Sequence, residues 1–307
     1  MRHYFIVNPA AGRKDSTQMI CDILNNSSIQ TDAEVLITQK PRDAVRIVKD
    51  ICLKNPNPKR FWACGGDGTL GEVLTGMIGQ SNCTLSCVPC GSGNDYVKYY
   101  GGVSSFFSLE NQLNAVSTPV DVMRVGERYS INMINFGLDS VAAASMQRIK
   151  RYPIIGGKNA YYTGTAIAFF TAMTNHCKVY ADGKLMNPKG TLLLCTVACG
   201  QYIGGQFLAA PKSINDDGLL DVCLVKPVGR LKAAPLISVY KAGEHLDSDR
   251  LKDLVVYQRA KEVRLETGKK WQITLDGDQL EIDGSATIEV VPKAVNFMVP
   301  FGAKKPQ

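Results

Sequence analysis

The chain has 307 residues, a length that suits two domains, and its 45% hydrophobic and 21% charged residues are globular proportions. A formal charge of +7 and a pI of about 8.8 suit an anionic ligand or an anionic membrane surface, and are too weak to argue for nucleic-acid binding. The ten cysteines lack paired zinc-type spacing, and no apolar run reaches the ~20 residues that a membrane-spanning helix needs.

Tyr4–Val7 reads as a buried strand and Asn8-Pro9-Ala10-Ala11-Gly12-Arg13 as the turn after it. Met1-Arg2-His3 leads straight into that strand, which leaves no room for a signal peptide. A polar helix with Met19, Ile20, Ile23 and Leu24 inward comes next, then a strand over 33–37 that ends at Thr38. The spacing of Ala44, Val45, Ile47, Val48 and Ile51 predicts a helix over 41–53, with Pro41 in its first turn. Asn55-Pro56-Asn57-Pro58 breaks the chain before a third strand over 60–63. Leu70, Val73, Leu74, Met77 and Ile78 give a further helix, and 84–88 a fourth strand. Alternation of this kind implies a parallel sheet wrapped by helices, with ligands beyond the carboxyl ends of the strands. Asn8, Thr38, Asp67 and Ser92 all follow strands and are expected to share one crevice.

Near Asp121 the pattern changes. Strands are expected over 120–125, 129–136, 178–181, 190–198 and 219–225, with helices over 160–173 and 231–246. Strands over 263–265, 271–275, 286–291 and 296–299 close the chain. This half reads as mostly antiparallel β. Cys52, Cys195, Cys199 and Cys223 sit in apolar runs and read as buried free thiols, which points to a reducing cytoplasm.

Two glycine loops carry the chemistry. Gly65-Gly66-Asp67-Gly68-Thr69 joins the third strand to its helix, whose first N–H groups and positive dipole end suit phosphate. A carboxylate repels phosphate, so Asp67 either works with a Mg²⁺ between them or simply caps the helix. Pro89-Cys90-Gly91-Ser92-Gly93-Asn94-Asp95-Tyr96 follows the fourth strand, with Lys98 one turn on. Its backbone N–H groups and the Ser92 hydroxyl suit phosphate oxygens, Asn94 can donate and accept, and Asp95 can cap or bind a substrate hydroxyl. Either loop alone is common loop chemistry. The pair at adjacent strand ends fits a clamped triphosphate.

These motifs resemble the diacylglycerol kinase catalytic-domain family of lipid kinases, which includes sphingosine and ceramide kinases. The two loops resemble its nucleotide loop and its P-x-G-[ST]-x-N-D-[FLY] element, and Asn8 to Arg13 resembles its opening N-P-x-[SA]-G-[KR]. Asn135-Phe136-Gly137-Leu138-Asp139 is similar to its N-x-G-x-D element, the stretch from Pro211 to Asp221 to its P-x-A-x-x-D-D-G-x-L-D, and Asp276-Gly277-Asp278 to its D-G-E. The resemblance runs the whole length. It implies an α/β protein of two domains: a Rossmann-like, doubly wound nucleotide-binding unit over 1–122, which 298–307 can rejoin, and a β-rich, mostly antiparallel lipid-substrate unit over 123–297.

It also implies ATP and Mg²⁺ in the interdomain cleft. Asn8, Thr38, Gly65, Gly66, Asp67, Gly68, Thr69, Gly91 and Ser92 would hold the nucleotide, and Arg13 would reach its phosphates. Asp276 would be the general base for the lipid hydroxyl. Asn94, Asp95, Lys98, Asp121, Lys158 and Asp278 would surround the moving phosphoryl group. Asp217, with the carbonyls of Ile214 and Leu219, would ligate a structural Mg²⁺. Asp278 stands where the family has Glu, and Lys98 where Arg is common, which loses a bidentate fork.

Other readings stay open for single positions. Asp276-Gly277 is also a hairpin turn signal, Asp216-Asp217-Gly218 also a plain turn, and Asp121 and Lys158 also surface ion pairs. Tyr161, Tyr162, Phe169 and Phe170 suit core packing or the border of an acyl channel. His3, His176 and His245 receive no role. The expected activity is phosphoryl transfer from ATP to a lipid hydroxyl, with diacylglycerol going to phosphatidic acid. The alternatives are a soluble-substrate kinase such as NAD kinase, which shares the first loop, and a non-catalytic lipid- or nucleotide-binding regulator. The protein is expected in the cytoplasm, visiting the membrane surface transiently to meet its lipid, with no nucleic-acid partner; an exposed β edge would allow a homodimer.

Overall fold

The computed structural model describes residues 1–12, 14–149, 167–168, 171–233 and 236–303, without the side chains of 30 and 146–148. The first half is β1 (Arg2–Val7), α1 (Thr17–Asn25), β2 (Ala33–Ile37), α2 (Asp43–Lys54), β3 (Lys59–Gly65), α3 (Asp67–Met77) and β4 (Cys83–Pro89). All pairings among β2, β1, β3 and β4 are parallel. Every residue of β3 is buried, as expected for a parallel strand covered on both faces. Ile20 and Leu24 of α1 pack with Phe5, Val7, Trp62 and Cys64 on one face. On the other, α2 and α3 pack with Tyr4, Phe61, Leu85 and Phe297. Gly76 lets these two helices close up, because a Cβ there would lie 2.7 Å from Val48 Cβ.

The second half continues as β5 (Val116–Val125), β6 (Arg128–Ser130), β7 (Met133–Gly137), α4 (Leu138–Ile149), β8 (Lys178–Ala181), β9 (Leu194–Ala198), β10 (Leu220–Val225) and β11 (Val255–Ala260). It ends in the long hairpin of β12 (Glu262–Leu275) and β13 (Asp278–Val299). The main sheet runs β11-β10-β9-β7-β12-β13-β4-β3-β1-β2. β13 joins the halves. It pairs antiparallel with β12 and β5, and its end pairs parallel with β4 through Asn296–Thr84 and Phe297–Leu85. A second core forms around Val179, Val197, Leu220, Leu265 and Ile273.

Several expectations need correction. The second helix begins at Asp43, not Pro41, because Arg42 before it takes the left-handed conformation at φ 66°. The loop at 89–95 opens a 3₁₀ turn over Tyr96–Tyr100, held by the buried rings of Tyr96 and Tyr100 against Phe297. The helix expected over 231–246 is not continuous: Ile237–Ala242 ends at Gly243, at φ 79°, and a 3₁₀ turn follows over Glu244–Leu246. The strand expected over 129–136 breaks between Ser130 and Met133, and the site depends on that break. The late strands merge into one bulged hairpin, with a register shift between Glu266 and Lys270. Arg13, Lys158, Tyr161, Tyr162, Phe169 and Phe170 lie outside the described residues.

Candidate active site

Four strand-end loops meet above the parallel sheet. Asn8 donates through Nδ2 to Thr69 Oγ1 at 3.0 Å, and its backbone N–H donates to Cys64 O. Buried Thr38 donates to Val7 O through both its N–H and its hydroxyl. The N–H groups of Cys90 and Gly91 donate to Gly65 O at 2.8 and 3.1 Å. The loops touch backbone to backbone. A Cβ on Gly91 would lie 2.3 Å from Gly66 Cα, and one on Gly12, at φ 74°, would lie 2.2 Å from Cys90 O. Only glycine fits at these two positions. The α3 N-terminus carries no side-chain cap, which leaves its first turn open to an anion. Ser92 is exposed beside it. Asn94, at φ 50°, closes the second loop on itself: its Nδ2 donates to Pro89 O and Gly91 O, and its Oδ1 accepts from Gly91 N.

Four carboxylates, Asp67, Asp95, Asp139 and Asp276, line one cavity of about 340 Å³ together with Gly93. Asp67 accepts from Tyr96 N at 3.0 Å. Burial, then the carboxylate of Asp95, push the Asp67 carboxyl up to about 7, with a smaller push from Asp276. Asp95 accepts from Lys98 Nζ at 2.5 Å and from Gly205 N at 2.9 Å, which ties the 202–208 hairpin across the second loop. Asp276 sits at φ 47° where β12 turns into β13. Its Oδ1 accepts from the Ser130 hydroxyl (2.7 Å), Asn132 N (3.1 Å) and Met133 N (2.9 Å), and its Oδ2 from Ile131 N (2.8 Å). The break between β6 and β7 supplies all four donors. Burial lifts the Asp276 carboxyl to about 6 against these four bonds. Asp278, on the opposite side of the turn, pairs with Arg128 at 3.4 Å. A Cβ on Gly68 would lie 3.3 Å from Asp278 Oδ1, so the first loop and the hairpin nearly touch.

Most of the rest of the cavity lining is apolar. Leu138, Met173, Leu194, Phe207, Val225 and Leu254 are among its walls. A largely apolar space with clustered carboxylates has the character of a site for an amphiphile. Sequence reading gave no role to Ser130, to the 131–133 turn or to Asp139, which also lines the cavity. Asp139 was visible as the end of a motif, whereas Ser130 has no local signal.

Asp121 sits elsewhere. It is fully buried, accepts from Gly218 N at 2.6 Å and Lys293 N at 2.8 Å, and so fastens the 215–218 turn to β5 and β13. At the expected structural metal site, Asp217 Oδ2 pairs with Arg259 and Oδ1 accepts from Leu219 N at 3.1 Å. Both oxygens are engaged, and Ile214 is exposed. A cation there would have to displace Arg259, so these residues do not fit a metal as they stand. In the cleft the chemistry fits better. Among the described residues no three acidic, His or Cys side chains converge as a metal cage. Mg²⁺ seldom uses such a cage: one or two carboxylates and the substrate's phosphates suffice.

A parallel nucleotide-type unit joined to a β-rich unit, with glycine loops and carboxylates between them, defines a two-domain kinase of the diacylglycerol kinase type. Residues 2–125 match the diacylglycerol kinase catalytic domain, and residues 132–299 match the YegS C-terminal NAD kinase beta sandwich-like domain. The chain belongs to this family of diacylglycerol kinase- and YegS-like lipid kinases. It is 25% identical to the diacylglycerol kinase of Bacillus subtilis (strain 168) over 282 residues, 90% of this chain and 89% of that protein. It is 27% identical over 276 residues to the "Probable lipid kinase YegS-like" of Pseudomonas aeruginosa PAO1, covering 88% and 85%. The crystal structure of a diacylglycerol kinase from Bacillus anthracis (strain Sterne) shares the fold at a TM-score of 0.68 and 20% identity, covering 97% of this chain and 96% of that one. Membership of a kinase family implies the use of ATP.

Proposed function

We propose that the protein transfers the γ-phosphoryl group of ATP to a lipid hydroxyl at the membrane surface, with Mg²⁺. Diacylglycerol, giving phosphatidic acid, is the reference acceptor. The observation that carries this reading is the largely apolar cavity lined by the neighbouring carboxylates of Asp67, Asp95 and Asp276. Residues 1–122, completed by the end of β13, form the nucleotide unit, and 123–297 the lipid unit. Gly65 to Thr69, Gly91 and Ser92 hold the triphosphate through backbone N–H groups, with Asn8 and Thr38 fixing the loops. Asp67 would hold the Mg²⁺, which would supply charge neutralisation for the phosphates. Asp276 accepts the proton of the lipid hydroxyl through Oδ2, which has one protein donor where Oδ1 has three. Phosphoryl transfer asks mainly for positioning and charge neutralisation, and the site is built from rigid loop ends that supply both.

The test is a kinase assay on the purified protein with labelled ATP, Mg²⁺ and mixed lipids. Wild type should give a labelled phospholipid, and Asp276→Ala should lose at least roughly a hundredfold in kcat while unfolding cooperatively. Full activity in Asp276→Ala removes the base from its role. Labelled product from NAD without lipid would favour a soluble-substrate kinase instead.

A further inference from the structure

At the opposite end of the parallel strands from the glycine loops, two free thiols lie in contact. Cys52, in the last turn of α2, and Cys83, the first residue of β4, place their Sγ atoms 3.7 Å apart. The chain around them is tied down. Lys59, buried at the start of β3, stands in register with Cys83, and its Nζ donates to Asn55 O at 2.6 Å, just past the end of α2. Lys59 N donates to Asn82 O at 3.1 Å, and Asn82 Nδ2 donates to Pro56 O. The end of α2 and the start of β4 are thus fastened to each other through 55–59.

The two thiols are not equivalent. The Cys83 thiol and, less strongly, the Lys59 ammonium draw Cys52 down to about 7 against its burial, while its bond to Cys52 and burial push Cys83 up. Elsewhere burial pushes the thiols of Cys64, Cys87, Cys195 and Cys199 well up. The thiolate is the nucleophile, and one that forms near ambient pH beside a second thiol has the character of a redox-sensitive pair. Cys52 also lies near the surface, at 9% exposure beside Leu53 at 82%, whereas Cys64 and Cys199 are at 0%.

We propose that Cys52 and Cys83 are a modification site, a dithiol that hydrogen peroxide converts reversibly to a disulfide, with Cys52 attacking and Cys83 resolving. This goes beyond the lipid-kinase reading and does not depend on it. The Cys52 thiolate attacks one peroxide oxygen, the O–O bond breaks, and the departing hydroxide takes a proton to become water. Cys52 is then a sulfenic acid. The Cys83 sulfur attacks the Cys52 sulfur, the S–S bond forms and the S–O bond breaks. The hydroxyl leaves with the Cys83 proton as a second water. Two thiols are oxidised and one peroxide is reduced to two waters; a dithiol reductant reverses the bond. A disulfide needs a separation of about 2.05 Å, so each sulfur moves by under roughly 1 Å. The bond closes a ring that contains β3, the first glycine loop and α3, which restricts the unfolded chain and stabilises the nucleotide unit.

The experiment treats the reduced, full-length protein with a small molar excess of hydrogen peroxide near neutral pH. Remaining thiols are alkylated in denaturant and the peptides mapped by mass spectrometry. Wild type should give a linked Cys52–Cys83 peptide, with reactive thiols falling from ten to eight and dithiothreitol restoring ten. Cys21 and Cys90, which are more exposed, should stay alkylated. The oxidised form should melt roughly 4 °C or more above the reduced form. Cys83→Ala should leave Cys52 as a sulfenic acid that dimedone traps, and Cys52→Ala should leave Cys83 alkylated. Oxidation of Cys21 or Cys90 ahead of the linked peptide overturns the proposal. So does a Cys52 that proceeds to sulfinic acid while Cys83 is still alkylated. Both outcomes are read on wild type, so the result stands even where a variant fails to fold.

Discussion

Three donors crowd one oxygen of Asp276 and a single donor serves the other, so its two lone-pair faces are unequal. On the proposed mechanism, that asymmetry leaves one face for a substrate proton. With a carboxyl at about 6, kcat should fall as pH drops through that value and the base takes up a proton. Ser130→Ala removes a bond that favours the charged form. A hydrogen bond to a charged group contributes about 1.5–3 kcal/mol, so the acid limb should move up by about one to two pH units. An unmoved limb in the pH–kcat profile would show that another group governs it. Asp67 makes a separate prediction about stability. Its folded carboxyl, at about 7, lies above the ordinary value, so the folded state holds a proton that the unfolded chain releases earlier. The linked stability is fully present below about pH 4 and is lost as pH rises through about 7. Without nucleotide or metal, Asp67→Asn should match wild type in Tm near pH 4 and exceed it near pH 8; a constant difference would contradict this. The positions of Asp67 and Asp276 were legible in the sequence, the first from its glycine loop and the second from the order of the motifs that resemble the family's. Ser130 was not, because it matters only through a partner 146 residues away.

At the scale of elements, Asp121 shows how a motif residue can be legible in place and not in role. The sequence puts it among the groups around the phosphoryl, but its carboxylate is spent on two backbone N–H groups from separate segments. Lys293, at φ 51°, lies in the register shift of β13 between Val291 and Val295, and Asp121 answers the N–H that this irregularity frees from the ladder. Asp121→Ala orphans both N–H groups, at a cost of about 1–3 kcal/mol each. A lowered midpoint in urea with kcat/KM within about threefold of wild type is expected at low temperature. A large fall in kcat with unchanged stability would return Asp121 to the phosphoryl network. Similarly, the strand expected over 129–136 follows its apolar pattern faithfully. Periodicity cannot show that the chain leaves the sheet at 131–132 to wrap a carboxylate from β12.

For the whole molecule, one sheet runs through both halves, and β13 lies between β12 and β4. Layer class and strand direction were legible from the alternation of elements. The long hairpin was not, because a continuous strand and two strands separated by a polar stretch look alike in a period-two pattern. Shared pairing predicts shared unfolding. The chain has two tryptophans, Trp62 in β3 and Trp271 in β12, one in each half. Trp62→Phe and Trp271→Phe variants, each reporting through the remaining indole, should show coincident urea transitions after correction for the stability change of each substitution. Two separated midpoints would mean that the halves melt independently. The course of β13 also bears on where this protein can be divided. A gene split in the gap between the two matched family segments, after residue 125, would strand the last rib of the first half on the second fragment. The leading fragment would carry β4 with a bare flank, an invitation to intermolecular strand pairing and precipitation. Co-expressing the two pieces, so that each meets the other as it emerges, is therefore the way to obtain either in native form.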